Sequence, residues 1–503
     1  MIPLPFRIGR PDRNWVLALA LWAGLTATRA TWAAGESNSV PGDMLLLDSL
    51  GRVVTVPTNE VPSDLQPAAD IGVKHQIPGP TAGTSMPREI LQRARAGAIG
   101  FQFFPATPPP LMPYLASQDD YGNTAIRPGA LFYPFVPLEG PVQGVKYRLS
   151  EYGFRYSLEQ TLTYVSMSDV MKGNSDLSYY TFDLKSKWAL FNASDAGTSG
   201  WISSQVEAKN GLESAGNTQS AKSNLGTVTD PTGIWSDVNG FRVPELAWQQ
   251  SARHGEIVVL AGMVSQRNYI DRNAYADSGR SKFMNSALIN SEVLPLAQYN
   301  FGVNLQWQPL DEWYAMAGAS MGNAKAGNAP WTDYSSVNWS LPGEIGYAPR
   351  DLFDLGPGVY RIQPFAAEVD GATGGGLCFD LQQQLGLDSP LGWFGRFGFG
   401  GKKVSDGASA QAGTGFVVQG PFRHVLLQRT SNDLLGTGFV WSQPSSTTKT
   451  VYHENEYVWE TVYALQLTPT IKIQPDIQMI WDPAFHRDTD HAMVFQLQLA
   501  MAW

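Results

Sequence analysis

The last fifty residues alternate between large apolar and small or polar side chains. Counting back from Trp503, Met501, Leu499, Leu497, Phe495 and Met493 are apolar, whereas Ala502, Ala500, Gln498 and Gln496 are small or polar. Ile471, Ile473, Ile477, Met479 and Trp481 repeat the pattern against Lys472, Gln474, Asp476 and Gln478. Trp459, Tyr463, Leu465 and Leu467 do so against Glu460 and Gln466. A period of two marks a strand with one apolar and one polar face. The turn "TPT" around Pro469 separates the first two of these strands.

The same period predicts sixteen strands, near 154–165, 177–187, 200–209, 243–252, 256–266, 299–309, 312–321, 342–349, 359–368, 377–386, 393–400, 413–425, 434–442, 456–467, 471–481 and 492–503. The gaps alternate in length. "SARHGE", "PLDE", "RTSND" and "TPT" are short; 210–242, 267–298, 322–341 and 443–455 are long. Short turns on one rim and long loops on the other predict an all-β fold, a transmembrane antiparallel β-barrel. An even strand count returns both ends to the short-turn, periplasmic rim. In lipid every backbone group needs an internal partner, so strands span only as a closed barrel. Trp201, Trp313, Trp393, Trp459 and Trp481 fall near strand ends, as membrane-interface aromatics do.

The start of the chain fits export. Arg7, Arg10 and Arg13 precede the apolar run "WVLALALWAGL", and small residues near Thr31 and Ala33 offer a cleavage site. This reads as a signal peptide over 1–33, with Ala30 as the alternative site; the apolar run is too short to span a bilayer. Residues 34–143 form a proline-rich extension holding 16 of the 34 prolines. "PATPPPLMPYL" reads as extended polyproline, and "SMPREILQRARAGAIGF" as one short helix with Pro87 in its first turn and Ile90, Leu91 and Ala94 on one face. A disordered linker, a plug or a partner-binding segment are the alternatives for this region. The barrel occupies 144–503.

Charge narrows the function. The net charge is −10; removing 1–33, with four arginines and one aspartate, takes it to −13. An acidic chain without basic clusters does not suit nucleic acid. The single cysteine, Cys378, has no internal partner. No serine elbow, zinc helix or cysteine nucleophile arrangement occurs, so an enzyme is not expected, nor a cofactor. "FHRDTDH" brings His486, Asp488, Asp490 and His491 together, but its spacing fixes no metal site and a solvated loop is the simpler reading.

The polar strand face carries Arg155, Glu159, Asp183, Lys185, Glu344, Arg361, Asp380, Gln382, Arg396, Glu460, Lys472 and Asp476. With about sixteen strands the lumen admits water and small solutes. The long segment 267–298 is the candidate for an inward loop; it offers Asp271, Arg272, Asn273, Tyr275, Arg280 and Lys282.

Several stretches resemble one family. "GVKYRLSEYGFRYSLEQTLTY", "VPELAWQQSARHGEIVVLAGMVSQRNYIDRNAYADSGRSKFMNSAL", "GTGFVVQGPF" with "RTSNDLLGTGFVWS", and above all "YALQLTPTIKIQPDIQMIWDP" are similar to the carbohydrate-selective porins, the OprB family of Gram-negative outer membranes. The resemblance covers most of 144–503. It implies a sixteen-stranded barrel in the outer membrane that passes mono- and small oligosaccharides by facilitated diffusion. It also makes the terminal Trp503 the aromatic signal for barrel insertion. The tryptophan-glycine opening of the family's first helix is absent, "GPVQGVKYRL" standing in its place. On this reading the pore-lining, sugar-contacting set is Arg155, Glu159, Asp183, Lys185, Asp271, Arg272, Arg280, Glu344, Arg361, Asp380, Arg396, Glu460, Lys472 and Asp476. The partners are sugars and outer-membrane lipid, with the chain a homotrimer or a monomer. A general diffusion porin, a soluble exported polysaccharide-binding or -cleaving β protein, and a barrel enzyme or adhesin remain alternatives. The strand parity makes Leu497 lipid-facing and makes Gln498→Arg, on the lumen side, a substitution of little cost.

Overall fold

The computed structural model describes residues 43–47, 53–57, 145, 149 and 152, and from 154 to 502 all but 194–197, 213–219, 234–239, 254–255, 277–278, 281, 298, 311, 322–337, 350, 387–388, 423–432, 446–448 and 469. The signal peptide, the helix near Pro87, the polyproline stretch and Trp503 lie outside the described residues. The chain divides into two units, Met1–Ser85 and Met86–Trp503. In the first, β1 (Asp43–Leu47) and β2 (Val53–Pro57) pair antiparallel, Asp43 opposite Pro57 and Leu47 opposite Val53. No strand is expected there from sequence.

The second unit contains a closed barrel of sixteen antiparallel strands. They are β3 (Phe154–Met167), β4 (Asp176–Ala193), β5 (Thr198–Gly211), β6 (Gly240–Ala252), β7 (Ile257–Val264), β8 (Asn300–Trp307), β9 (Trp313–Met321) and β10 (Trp339–Tyr347), then β11 (Gly358–Val369), β12 (Ala372–Gln384), β13 (Leu391–Gly400), β14 (Ala408–Gln419), β15 (Leu434–Pro444), β16 (Glu456–Gln466), β17 (Ile471–Trp481) and β18 (His491–Ala502). Each pairs with its sequence neighbours, and β18 closes on β3 with Ala502 opposite Glu159 and Val494 opposite Met167. Every predicted strand is present.

Two boundaries move for physical reasons. β14 begins at Ala408 rather than 413, because its first outward residues, Ala410 and Ala412, are too small to show as an apolar period. β14 also ends at Gln419 rather than 425, so the β14–β15 connection, 420–433, is long although it lies on the short-turn rim. β12 runs back through Gly374, Gly375 and Gly376, a run that otherwise reads as a turn. The β11–β12 turn is only Asp370-Gly371, both with positive φ (50° and 79°), as a two-residue hairpin turn requires.

Burial follows the period: β18 alternates exposed and buried from His491 to Ala502. The exposed outward residues are hydrophobic, among them Leu162, Leu305, Ile345, Ile362, Phe439, Phe495 and Leu497. In water such a continuous belt would be unstable; in hydrocarbon it is the solvated face. Aromatics mark both edges. At the short-turn rim Trp313 packs on Tyr347 at 4.7 Å between ring centroids, and Tyr347 on Tyr360 at 6.5 Å. At the other rim Phe439 lies 6.2 Å from Tyr457. The protein is therefore expected to stay with membranes until detergent is added and to migrate differently on gels when unheated. Recovery in a detergent-free soluble fraction would contradict the fold.

Candidate functional site

Inside the barrel the side chains are polar, and two connections fold inward among them. The first joins β7 to β8. Ser265 leads into a short 3-10 turn, Gln266–Asn268, and the chain then runs along the lumen wall before α2 (Ser286–Ile289). The Tyr269 hydroxyl donates to the Glu245 carboxylate of β6 at 2.7 Å. Burial, reinforced by that carboxylate, pushes the Tyr269 hydroxyl well above its ordinary titration range. Asp271 has a left-handed backbone (φ 64°), which Asp tolerates better than most residues. It is held on all sides: its N–H donates to Glu344 at 3.1 Å, and its carboxylate accepts from the Ser291 N–H at 2.6 Å and faces Arg396 Nε at 3.4 Å. Asn273 Nδ2 donates to Asp380 at 3.0 Å, and the Ala274 N–H to Gln382 at 2.8 Å. Tyr275 lies on β13, where a Cβ at Gly392 would come within 2.1 Å of its ring; only glycine fits.

Farther on, Arg280 Nη1 reaches Glu159 of β3 and Asp183 of β4, each at 3.0 Å. Burial opposes its charge, but Asp183, Glu159 and Glu207 more than offset this, and the guanidinium holds its proton above the ordinary value. Glu460 of β16 accepts from the Met284 and Asn285 N–H groups at 2.5 and 2.9 Å, just before α2, where anions suit the helix start. Asn285 caps α2 through the Ala287 N–H at 3.0 Å. β12, which holds Asn273, and β4, which holds Arg280, stand eight strands apart in a ring of sixteen. The segment therefore has its anchors on opposite walls.

The second inward connection joins β5 to β6 and was not singled out from sequence. Ser220 caps α1 (Ala221–Leu225), which ends at Gly226 with φ 72°. Glu456 of β16 then accepts from the Val228 N–H (2.8 Å), the Thr229 N–H (3.1 Å) and the Ala484 N–H (3.1 Å). Gln478 and Gln496 donate to the Pro231 carbonyl at 2.9 and 2.8 Å. The Ser220-to-Gly226 cap pair was the available sequence signal.

Strand register orders the charges. Arg361, Asp380 and Arg396 stand side by side on β11, β12 and β13. Arg361 Nη1 contacts Asp380 at 2.5 Å, Arg396 Nε contacts it at 2.9 Å, and Arg361 Nε lies 3.5 Å from Glu344. Across the lumen, Glu159, Asp183 and Glu207 form a row on β3, β4 and β5, with Arg242 of β6 next in register. Like charges placed directly opposite destabilise a sheet; Arg280 neutralises this row, and Lys209 lies 3.5 Å from Glu207. On the same face, toward the short-turn rim, come Lys185 with Gln205 and Glu245, then Arg155 opposite Lys187.

Every predicted strand residue thus has the inward parity, Arg155 half-buried and the others buried. Asp476 accepts from Gln478 and Gln496 at 2.9 and 3.1 Å. Arg272 is partly buried near Tyr269. Lys472 joins Glu159, Thr161, Arg280, Gln466 and Thr470 around a cavity of about 280 Å³ including its mouth. Among the described residues no three of His, Cys, Asp and Glu gather as a metal site. In the β17–β18 loop His486 Nδ1 accepts the Asp488 N–H at 3.1 Å.

Two segments, 200–367 and 363–502, match the family described as carbohydrate-selective porin, OprB family. No curated protein matches the chain in sequence. Among solved structures, the high-pH form of Pseudomonas putida OprB is 15% identical, with 75% of this chain and 99% of that chain covered and a TM-score of 0.59. The low-pH form is 14% identical over 75% and 100%, with a TM-score of 0.46. A Rh. blastica porin mutant is 7% identical over 70% and 100%, at 0.43. The similarity to the first extends to the fold.

Proposed function

The chain belongs to the OprB family of carbohydrate-selective porins of the outer membrane, and from that premise we propose that mono- and small oligosaccharides pass along the β3–β6 face of its lumen, beside Arg280. One observation carries this reading: Arg280 with Glu159 and Asp183 at 3.0 Å, bordering the open cavity. A sugar offers hydroxyls that donate and accept around its rim. A guanidinium beside carboxylates offers donors and acceptors at the same spacing. Because these groups already bond one another, a sugar gains only the difference, and weak binding is what passage requires.

The fourteen candidate residues divide by occupation. Arg155, Glu159, Asp183, Lys185, Arg280 and Lys472 lie on or next to the proposed route. Glu344, Asp380, Arg396 and Asp271 have polar atoms engaged in holding the inward segment, as has Glu460, and Arg361 is engaged with Asp380 and Glu344. Asp476 is engaged with glutamines that hold the second segment. Arg272 remains a candidate contact.

In planar bilayers the purified protein is expected to show saturable, low-affinity current block by glucose, maltose and sucrose. Arg280→Ala should weaken that block about tenfold or more, since a hydrogen bond to a charged group contributes roughly 1.5–3 kcal/mol. A pore that conducts ions yet ignores every mono- and disaccharide would be a general diffusion channel.

A further inference from the structure

We infer that Glu460 and Asp476 share a single proton, and that this proton positions both inward connections against the β16–β18 wall. The two carboxyls are diagonal neighbours, since register sets Glu460 opposite Gln478 and Asp476 opposite Val462. Both are buried, and they hydrogen-bond each other. Ionised carboxylates only accept, so a bond between two of them requires one acid hydrogen. The remaining contacts agree. Glu460 accepts the Met284 N–H on Oε1 and the Asn285 N–H on Oε2. Asp476 Oδ1 accepts from Gln478 and Gln496. Asp476 Oδ2 is buried without any other partner among the described residues, which leaves it to face Glu460.

No cation is among the groups acting on Asp476, which are Glu460, Gln478 and Gln496. The other charged groups on the surrounding elements are engaged elsewhere. Glu456 of β16 holds the Val228, Thr229 and Ala484 N–H groups, and Asp230 of the β5–β6 connection holds Thr232. Lys472 lies two inward places along β17 toward the short-turn rim, where it acts on Asp433. Lys282 of the β7–β8 segment passes Gln474, which donates to its carbonyl at 2.8 Å, and has side-chain contacts of its own. β15 and β18 bring no charged residue to this inward face.

The pair lies where the two connections meet. Asn285 Nδ2 donates to Gln478 Oε1 at 3.1 Å, and the Ser286 N–H donates to the Asp230 carbonyl at 2.8 Å. Glu460 anchors one connection directly; Asp476 orients the two glutamines that hold Pro231 of the other. With the proton in place both carboxyls keep these positions. Without it, two adjacent carboxylates repel in a water-excluded site. Above the ordinary carboxyl range the unfolded chain has released this proton while the folded chain keeps it, so stability falls as pH rises. The connections then loosen and the pore widens.

The test measures open-channel conductance of the full chain in planar bilayers from about pH 5 to about pH 9, a range over which buried carboxyls in proteins lose their protons. In the parent, conductance should rise across that range and the melting temperature of the unheated gel band should fall. Each pH unit by which the held state outcompetes the loosened one for the proton changes their ratio about tenfold. Asp476→Asn puts an amide N–H in place of the proton and keeps the Oδ1 acceptor. Its conductance should stay at the parent's acid-side value at every pH. Glu460→Gln also removes the titration, but an amide nitrogen accepts no hydrogen bond, so the hold on Met284 or Asn285 is lost. Its conductance should be high at every pH. A parent profile flat across the range would overturn the inference. So would an Asp476→Asn channel whose conductance still rises with pH as the parent's does. Should Asp476→Asn fail to assemble, Glu460→Gln decides on the same ground, since a rise as large as the parent's would count against a shared proton. Ion conductance reads the pair without any sugar, so failure here leaves the saccharide route standing.

Discussion

Leu497→Arg is expected to destabilise the barrel by about 2–4 kcal/mol, the cost of an arginine facing lipid near the bilayer midplane. Leu497 lies in the middle of β18, with Pro475 and Tyr164 beside it on β17 and β3. Its side chain points outward and is 43% exposed. In a water-soluble sheet an arginine there would be harmless. Here the guanidinium must snorkel or remain in hydrocarbon. Urea titration of the unheated gel band measures the effect, with Leu497→Ile as the volume-conserving control. If arginine and isoleucine were tolerated alike, the belt would not be a lipid-facing surface. The neighbouring lumen position does not provide the mild control that strand parity alone suggests. Gln498 is fully buried and donates to Thr163 Oγ1 at 3.2 Å, so Gln498→Arg would force a larger cation into a filled, bonded site.

The contrast between Leu497 and Gln498 shows what a period of two does and does not encode. Parity separates the two faces, because successive side chains leave a strand on opposite sides. That fixed the faces of all sixteen strands, and with them the inward direction of Arg155, Asp380 or Glu460. Parity says nothing of what lies against an inward residue. Glu456 and Glu460 look equivalent along β16, two turns of the same pleat. One ties down the β5–β6 connection and the other the start of α2, contacts over more than 170 positions of chain. The adjacency of Arg361, Asp380 and Arg396 was equally hidden. It depends on the registers of two strand pairs, and one of those strands, β12, begins in a glycine run without apolar signal. The length of 267–298 marked it as a candidate inward loop, but its anchors on opposite walls follow only from the closed ring.

Those anchors give the largest expected single effect. Asp380→Ala should cost about 3–5 kcal/mol, the loss seen when one partner of a buried ion pair is removed. Asp380 is fully buried and lies between Arg361 at 2.5 Å and Arg396 at 2.9 Å. Without it two buried guanidiniums face each other across β12. Glu344, at 3.5 Å from Arg361, and Asp271, at 3.4 Å from Arg396, compensate only in part. The same carboxylate receives Asn273 Nδ2, so its removal also frees the inward segment from the β12 wall. Thermal stability should therefore fall, open-channel conductance should rise and saccharide block should weaken, all in one variant. Asp183→Ala, at the opposite anchor, should be milder, because Arg280 keeps Glu159 at 3.0 Å. Asp380→Asn should fall between the parent and alanine, keeping the shape and one acceptor oxygen while losing the charge. Melting of the unheated gel band and single-channel current supply the two readouts. If Asp380→Ala lowered stability but left conductance at the parent value, Glu344, Arg396 and Gln382 would hold the segment on that wall without Asp380. Asp380 would then brace the wall without setting the width of the pore.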